Sequence, residues 1–158
     1  MTSDITVVIP YYNERGTILF TLQRIAEQTL QPKVAIFVNS SSTDDTSAII
    51  DAWIEKNQPS CVTRFLNIFE NTNNPAMSTN VGLRLATTEW VAMMDCGQNF
   101  QKDWLERQMR YATECGGDVI CGVVFLTGEG WIDRCAIAQT YGYRRTRSEE
   151  HTSELQSH

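Results

Sequence analysis

Short apolar runs alternate with amphipathic stretches along most of this chain. Five runs rich in β-branched residues predict strands at 5–9, 34–38, 63–69, 89–94 and 119–126. Apolar residues at helical spacing predict helices at 16–29, from Ser42 through Ile54, at 77–87, at 102–115 and at 131–141. Strands that alternate with helices in this way indicate an α/β fold, with a mainly parallel sheet covered by helices on both faces.

The amino-acid composition indicates a globular domain and argues against several classes of partner. The chain has 158 residues, of which 42% are hydrophobic and 20% charged, as in a soluble globular domain. Its net charge of −6 argues against a nucleic-acid partner held by phosphate contacts. We expect no membrane span, since no apolar run approaches the roughly 20 residues required. The scattered cysteines form no CxxC pair and predict reduced thiols in a cytoplasmic protein: Cys61, Cys96, Cys115, Cys121 and Cys135.

The last twelve residues differ from the rest in composition. They read RSEEHTSELQSH, with a single aliphatic side chain and both histidines of the chain, His151 and His158. The string resembles the in-frame translation of a sequencing-library adapter; a natural disordered tail is the alternative. We therefore expect one domain over 1–146, with a fold incomplete at its C-terminal end, and a non-native disordered tail over 147–158. Residues 1–146 hold no histidine, so a histidine base or metal ligand is excluded within them.

Four polar segments follow the predicted strands. Ligands of parallel α/β sheets bind outside the carboxyl ends of the strands, so these segments predict a polar ligand site. They are 10–15, 39–45, 70–80 and 95–101. The first carries no glycine-rich GxGxxG turn, and the chain contains no phosphate-binding GxxxxGK[ST] loop and no GxSxG nucleophile motif. These absences argue against a dinucleotide enzyme, a P-loop enzyme and a serine hydrolase.

Several short motifs resemble those of one enzyme family. Residues 8–14 (VIPYYNE) are similar to the opening VIPxYNE of the inverting glycosyltransferases of family 2, which have the GT-A fold. Further similarities follow in the family's order, at Gln28-Thr29, 37–46 (FVNSSSTDDT), 80–86, 90–97 (WVAMMDCG) and 103–105. The resemblance spans residues 5–145. It implies a Rossmann-like GT-A domain that binds a nucleotide-diphosphate sugar.

The resemblance also implies the residues of the donor site. Those that would surround the nucleotide sugar are Pro10, Tyr11, Tyr12, Glu14, Asn39, Ser40, Asn80 and Asp95. An aromatic ring can stack on a base, and a carboxylate can accept hydrogen bonds from a base or ribose. The alternative for Tyr11 and Tyr12 is that both rings only pack at the base of their loop.

This chain departs from the family pattern at charged positions. Asn39 and Ser40 replace an acidic pair, so a carboxylate that would read a base N–H is missing. The DxD motif becomes Asp95-Cys96-Gly97, which leaves Asp95 as the one acidic side chain for a divalent metal ion, magnesium or manganese. Cysteine is a poor ligand for so hard an ion. Metal dependence is therefore a hypothesis that rests on Asp95.

The resemblance places the catalytic base beyond Thr146. Asp133 is a possible stand-in, although an acidic residue at a helix start has a simpler role, and Glu149 and Glu150 belong to the suspected adapter. The expected function is sugar transfer, with inversion, from a nucleotide-diphosphate sugar to a glycan, lipid or protein acceptor. Two alternatives remain: a non-catalytic nucleotide-sugar-binding module, and an unrelated doubly wound domain that binds a flavin or a methyl donor.

Overall fold

A computed structural model describes residues 2–71 and 74–122 of the chain. Its strands are β1 (Thr2–Tyr11), β2 (Gln31–Ser40), β3 (Arg64–Glu70) and β4 (Trp90–Met93). Its helices are α1 (Ile18–Ala26), α2 (Thr46–Asn57), α3 (Pro75–Leu85) and α4 (Trp104–Cys115), with a short 3₁₀ turn at Gln58–Ser60.

The four strands form one parallel sheet with the order β3-β2-β1-β4. Val8 of β1 lies opposite Ile36 of β2 on one side and Met93 of β4 on the other. The chain builds outward from β1 to β3 and then crosses back to add β4 on the opposite side of β1. The strand order therefore reverses between β1 and β4, and such a switch point opens a crevice at the carboxyl ends of the strands.

Helices cover both faces of this sheet, as the sequence predicts. Alternate residues of β1 and β2 enter a buried apolar cluster with residues of three helices: Ile18, Leu22 and Ile25 of α1, Ile50 of α2, and Leu105 of α4. The intervening residues face α3, which packs against β1 and β2. There Val8 approaches Gly82 so closely that a Cβ built on Gly82 would lie 2.3 Å from Cγ1 of Val8.

The predicted elements are mostly confirmed, although their bounds differ. β4 is shorter than predicted, α1 and α4 begin two residues later, and α2 begins at Thr46 and not at Ser42, which lies in the loop after β2. β1 and β2 reach well beyond the apolar runs at 5–9 and 34–38, because backbone pairing continues through their polar ends. The strand predicted over 119–126 is wrong at 119–122, where the backbone is irregular, and 123–126 lie outside the described residues. The helix predicted at 131–141 and the tail at 147–158 also lie outside them. None of the helices α1 to α4 in the described part of the chain has the length and hydrophobicity of a membrane span.

Candidate functional site

The loops that follow β1, β2 and β4 lie at one edge of the sheet. Tyr11, the last residue of β1, is in register with Asn39 of β2, and the backbone N–H of Met94 donates to the carbonyl of Val8 at 3.2 Å. Because all four strands run in the same direction, their carboxyl ends and the loops after them share this edge. The structure thus brings together segments 10–15, 39–45 and 95–101, which the sequence predicts to form a polar site.

Tyr11 is anchored inside the protein. Its side chain belongs to the apolar cluster and is 3% exposed, and its hydroxyl donates to Oδ1 of Asn67 at 2.8 Å. Nδ2 of Asn67 in turn donates to Asp51 at 2.8 Å. Burial is the main cause that raises the pKa of Tyr11. A ring in this position has no open face for a base, so the stacking expected of Tyr11 does not fit its placement.

Tyr12 is the aromatic residue of this loop that faces solvent. Its side chain is 51% exposed, whereas Pro10 and Glu14 are half-buried. The carbonyl of Glu14 accepts from the backbone N–H groups of Thr17 and Ile18, and its carboxylate accepts from the hydroxyl of Thr17. Glu14 therefore stabilises the first turn of α1 through these hydrogen bonds. Tyr12 has the exposed ring that stacking on a base requires.

Asn39 and Ser40 are buried at the end of β2 and make hydrogen bonds within the protein. Oδ1 of Asn39 accepts from the N–H of Ser42 at 2.7 Å, and Oγ of Ser40 donates to Oγ of Ser78 on α3 at 2.7 Å. Both side chains are less than 5% exposed, 4% for Asn39 and 2% for Ser40. Asn39 thus fixes the turn after β2, and Ser40 ties β2 to α3. Both side chains are uncharged, so they do not supply the negative charge of the acidic pair in the family pattern.

A set of hydrogen bonds that the sequence did not predict joins the loop after β1 to the loop after β2. Oδ1 of Asn13 accepts from the N–H groups of Thr43 at 2.8 Å and Asp44 at 3.3 Å, and its Nδ2 donates to Oγ1 of Thr43 at 3.2 Å. The N–H of Asn13 donates to Oγ of Ser42 at 3.1 Å, and that of Arg15 to Asp44 at 3.3 Å. We call these contacts between 13–15 and 42–44 the loop clasp. The available signal was an asparagine two residues after a strand, since asparagine tolerates the left-handed backbone found here, with φ 54°.

Asp95, Cys96 and Gly97 form the turn after β4. Asp95 is exposed, whereas Cys96 is half-buried. Burial, together with the carboxylates of Glu14 and Asp95, raises the pKa of the Cys96 thiol to about 12. The thiol is therefore protonated at neutral pH, and cysteine is a poor ligand for ions as hard as magnesium or manganese. Asp95 is left as the side chain of this turn that can bind a cation.

Gly97 has a structural reason to lack a side chain. Its backbone is left-handed, with φ 76°, and its N–H donates to Oγ1 of Thr21 at 3.0 Å. A Cβ built there would lie 3.2 Å from Cγ2 of Thr17. An acidic side chain at this third position of the motif would therefore strain the backbone and press on α1. Glycine at this position therefore fits both the left-handed turn and the close approach of Thr17.

We expect Gly97→Ala to destabilise the fold by about 2 kcal/mol, because it combines left-handed strain with the tight contact to Thr17. Gly116 is the matched control, since its φ is also positive, at 59°, and nothing lies within 4 Å of a Cβ built there. Gly116→Ala should cost about 1 kcal/mol, from backbone strain alone. Urea unfolding of both variants measures the difference. Equal losses of unfolding free energy would contradict the contact with Thr17.

Asn80 lies on α3, outside the set of loops joined by these hydrogen bonds. Its side chain is exposed, and its carbonyl accepts from Nε of Arg84 at 3.1 Å. Ser78, two residues earlier, is the member of α3 that bonds to the end of β2. No hydrogen bond among the described residues links Asn80 to Tyr12 or Asp95. Asn80 therefore stays a prediction as a contact of the donor.

The residues of this edge can bind a divalent metal ion through one carboxylate, that of Asp95, but not through a cluster of protein ligands. Among the described residues no three His, Cys, Asp or Glu side chains cluster as a metal site. Magnesium and manganese ions can bind through one carboxylate together with waters and substrate phosphates, and Asp95 supplies such a carboxylate.

A separate groove of about 650 Å³ lies along α1 and α2, lined in part by Leu19, Trp53 and Cys61, and shares no lining residue with this edge.

Comparison with solved structures places this fold among known glycosyltransferases. A mannosyltransferase from Pyrobaculum calidifontis, solved in complex with GDP-Man and Mn²⁺, aligns with a TM-score of 0.64 and 27% identity over 71% of this chain and 33% of its own. Residues 1–349 of Staphylococcus aureus TarS in complex with UDP-GlcNAc align with a TM-score of 0.61 and 25% identity, over 82% of this chain and 36% of its own. The Rossmann-like GT-A fold predicted from the sequence is thus confirmed.

Curated relatives carry glycosyltransferase names. Glycosyltransferase GlyG of Streptococcus pneumoniae is 28% identical over 122 residues, which is 77% of this chain and 39% of GlyG. The poly(ribitol-phosphate) β-N-acetylglucosaminyltransferase TarP of Staphylococcus aureus is 24% identical over 130 residues, 80% of this chain and 38% of TarP. This chain therefore spans less than half the length of either relative. The family model described as "Glycosyl transferase family 2" matches residues 6–152, and the chain belongs to that family.

Proposed function

We propose that this chain is the donor-binding part of a glycosyltransferase that takes a sugar from a nucleotide-diphosphate sugar and transfers it with inversion. The observation that carries the proposal is the edge at the β1–β4 switch point, where the exposed ring of Tyr12 and the exposed carboxylate of Asp95 follow neighbouring strands. Such a crevice is where parallel α/β sheets bind their ligands. The nucleotide sugars named in the related solved structures support the same substrate class.

Each residue of this edge has a proposed role. Tyr12 stacks on the base, and Pro10 and Glu14 border the nucleoside. Asn39 and Ser40 hold the end of β2 in place below the donor through their hydrogen bonds to Ser42 and Ser78. Asn80 of α3 is a further contact with the donor. Tyr11 supports the loop from below.

A divalent metal ion would be held by Asp95 together with phosphate oxygens of the donor. Its chemistry there is to neutralise the charge of the diphosphate leaving group. Mn²⁺ in the related mannosyltransferase structure supports a metal in this family. Inverting transfer also needs a carboxylate that deprotonates the acceptor hydroxyl. We propose that the residues after Thr146 supply it in the whole protein, and that the acceptor is a glycan, lipid or protein.

Replacing Tyr12 by alanine tests the proposed stacking. We expect Tyr12→Ala to weaken the binding of UDP-GlcNAc or GDP-mannose about tenfold, since stacking of a base on an aromatic side chain contributes about 1–3 kcal/mol. Tyr111 on α4 is the matched control, because its ring is 50% exposed, against 51% for Tyr12. Isothermal titration calorimetry in Mn²⁺ gives the dissociation constants. Equal losses for Tyr12→Ala and Tyr111→Ala, or no binding by the unaltered chain, would contradict the proposal.

A non-catalytic binding module is the second candidate, and the uncharged side chains at the end of β2 favour it. Asn39 and Ser40 are committed to hydrogen bonds within the protein and supply no carboxylate. The two functions differ in turnover by the full-length protein. Release of UDP or GDP that depends on an added acceptor supports the enzyme, whereas donor binding without turnover supports the module.

A further inference from the structure

We propose that Asn13 is a positioning residue for donor binding, whose side chain holds the loop after β1 so that Tyr12 presents its ring to the base. This inference rests on the proposed function. In this role Asn13 acts through Tyr12, the residue before it, and no contact of Asn13 with the donor or the metal ion is proposed.

The two neighbours of Tyr12 are held in different ways. On one side, Tyr11 is buried and its hydroxyl donates to Asn67. On the other, Asn13 has the left-handed φ of 54° and its side chain makes three bonds of the loop clasp, to the N–H groups of Thr43 and Asp44 and to Oγ1 of Thr43. Tyr12 lies between these two anchors with its own ring 51% exposed. The backbone that aims the ring is therefore fixed from both sides.

Fixing this backbone before the donor arrives raises affinity. A loop that must become ordered on binding loses conformational freedom at that moment, and this loss weakens the complex. The buried side chain of Tyr11 alone cannot prevent this loss of freedom on binding. It fixes the backbone before Tyr12 but not the backbone after it. The bonds of Asn13 supply the second constraint, and they come from the loop after β2, which Asn39 fixes through the N–H of Ser42.

Asn13→Gly isolates the contribution of the side chain. Glycine adopts the left-handed conformation without strain, so the backbone can keep its path. The bonds from the N–H of Asn13 to Ser42 and from the N–H of Arg15 to Asp44 do not involve the deleted side chain. Ser41 is the matched control for the substitution, because it also has a positive φ, 61°, and makes no bond of the loop clasp.

Calorimetry with UDP-GlcNAc and GDP-mannose in Mn²⁺ tests the proposal on the full chain. We expect Asn13→Gly to raise the dissociation constant about tenfold, and Ser41→Gly to leave it unchanged. In a Tyr12→Ala background, Asn13→Gly should have little further effect, because Asn13 acts through Tyr12. A full, independent loss in that background would overturn the positioning role, as would unchanged affinity in the Tyr12-containing chain.

Amide hydrogen exchange without any ligand separates failure of this inference from failure of the proposed function. We expect Asn13→Gly to speed exchange at the N–H groups of Thr43 and Asp44, which donate to the Asn13 side chain, while the N–H groups within β1 keep their protection. Unchanged exchange at Thr43 and Asp44 would overturn the inference alone. Faster exchange in a chain whose unaltered form binds neither nucleotide sugar would overturn the proposed function, and the positioning role with it.

Discussion

Gly82→Ala should destabilise this protein by about 2 kcal/mol, because the added methyl group would overpack the contact between α3 and β1. A Cβ at this position would lie 2.3 Å from Cγ1 of Val8, whose side chain is fully buried. The rotation of χ1 is restricted in a β-branched valine, and this side chain is buried on all sides, so α3 or β1 must shift. The overpacking outweighs the roughly 1 kcal/mol that alanine gains over glycine inside a helix.

Thermal unfolding followed by circular dichroism measures this effect. For a chain of 158 residues, a loss of about 2 kcal/mol lowers the Tm by about 4–8 °C. Gly16→Ala is the control, because Gly16 is exposed and nothing lies within 4 Å of a Cβ built there. The double variant Gly82→Ala, Val8→Ala should lose less than the sum of its single changes, since the second change removes the opposing methyl groups. Equal Tm values for Gly82→Ala and Gly16→Ala would contradict the close packing of α3 on β1.

Asp95→Asn should remove the dependence of donor binding on a divalent metal ion. Asp95 is exposed in the turn after β4, and Gly97 has no side chain to replace it. Loss of residues that merely support metal ligands already costs about 10–100-fold, so loss of a direct carboxylate ligand should cost on the order of 100-fold in donor affinity with Mn²⁺. The affinity of the variant should then match that of the unaltered chain in a chelator.

Titrations in Mn²⁺ and in EDTA measure this prediction. Asp118→Asn is the control for the change in charge, because Asp118 is also exposed but follows α4. It should leave the effect of Mn²⁺ intact. The same affinity of the unaltered chain in Mn²⁺ and in EDTA would refute the metal hypothesis, even if the nucleotide sugar binds.

The fold could be predicted from the sequence because each buried strand has its own strong signal. The runs at 5–9 and 34–38 are apolar and β-branched, and they form the centres of β1 and β2. Their ends could not be predicted from hydrophobicity, since Thr2 and Ser3 are polar and join the sheet through backbone pairing with β2. Strand order also depends on contacts far apart in the sequence, such as Val8 with Met93.

The position of the candidate site was predictable, and its detailed geometry was only partly so. The rule that ligands bind at carboxyl ends of parallel strands selects the loops after β1, β2 and β4, and the structure brings them together. Period-two alternation through Val7 and Ile9, extended by two residues, indicates that Tyr11 faces the core and Tyr12 does not. The left-handed turn at Gly97 and the bonds of Asn13 to Thr43 depend on tertiary contacts that no local pattern encodes.

Chemical-shift mapping of nucleotide-sugar binding tests the central claim, that the donor binds at the carboxyl edge between β1 and β4. UDP-GlcNAc and GDP-mannose would each be titrated with Mg²⁺ into the isotopically labelled chain. We predict that at least one of them shifts the amide signals of Tyr12, Glu14, Asp95 and Gly97, with weaker effects across the loop clasp. Shifts confined to the groove along α1 and α2, at residues such as Leu19 and Trp53, or no shifts with either nucleotide sugar, would contradict this account.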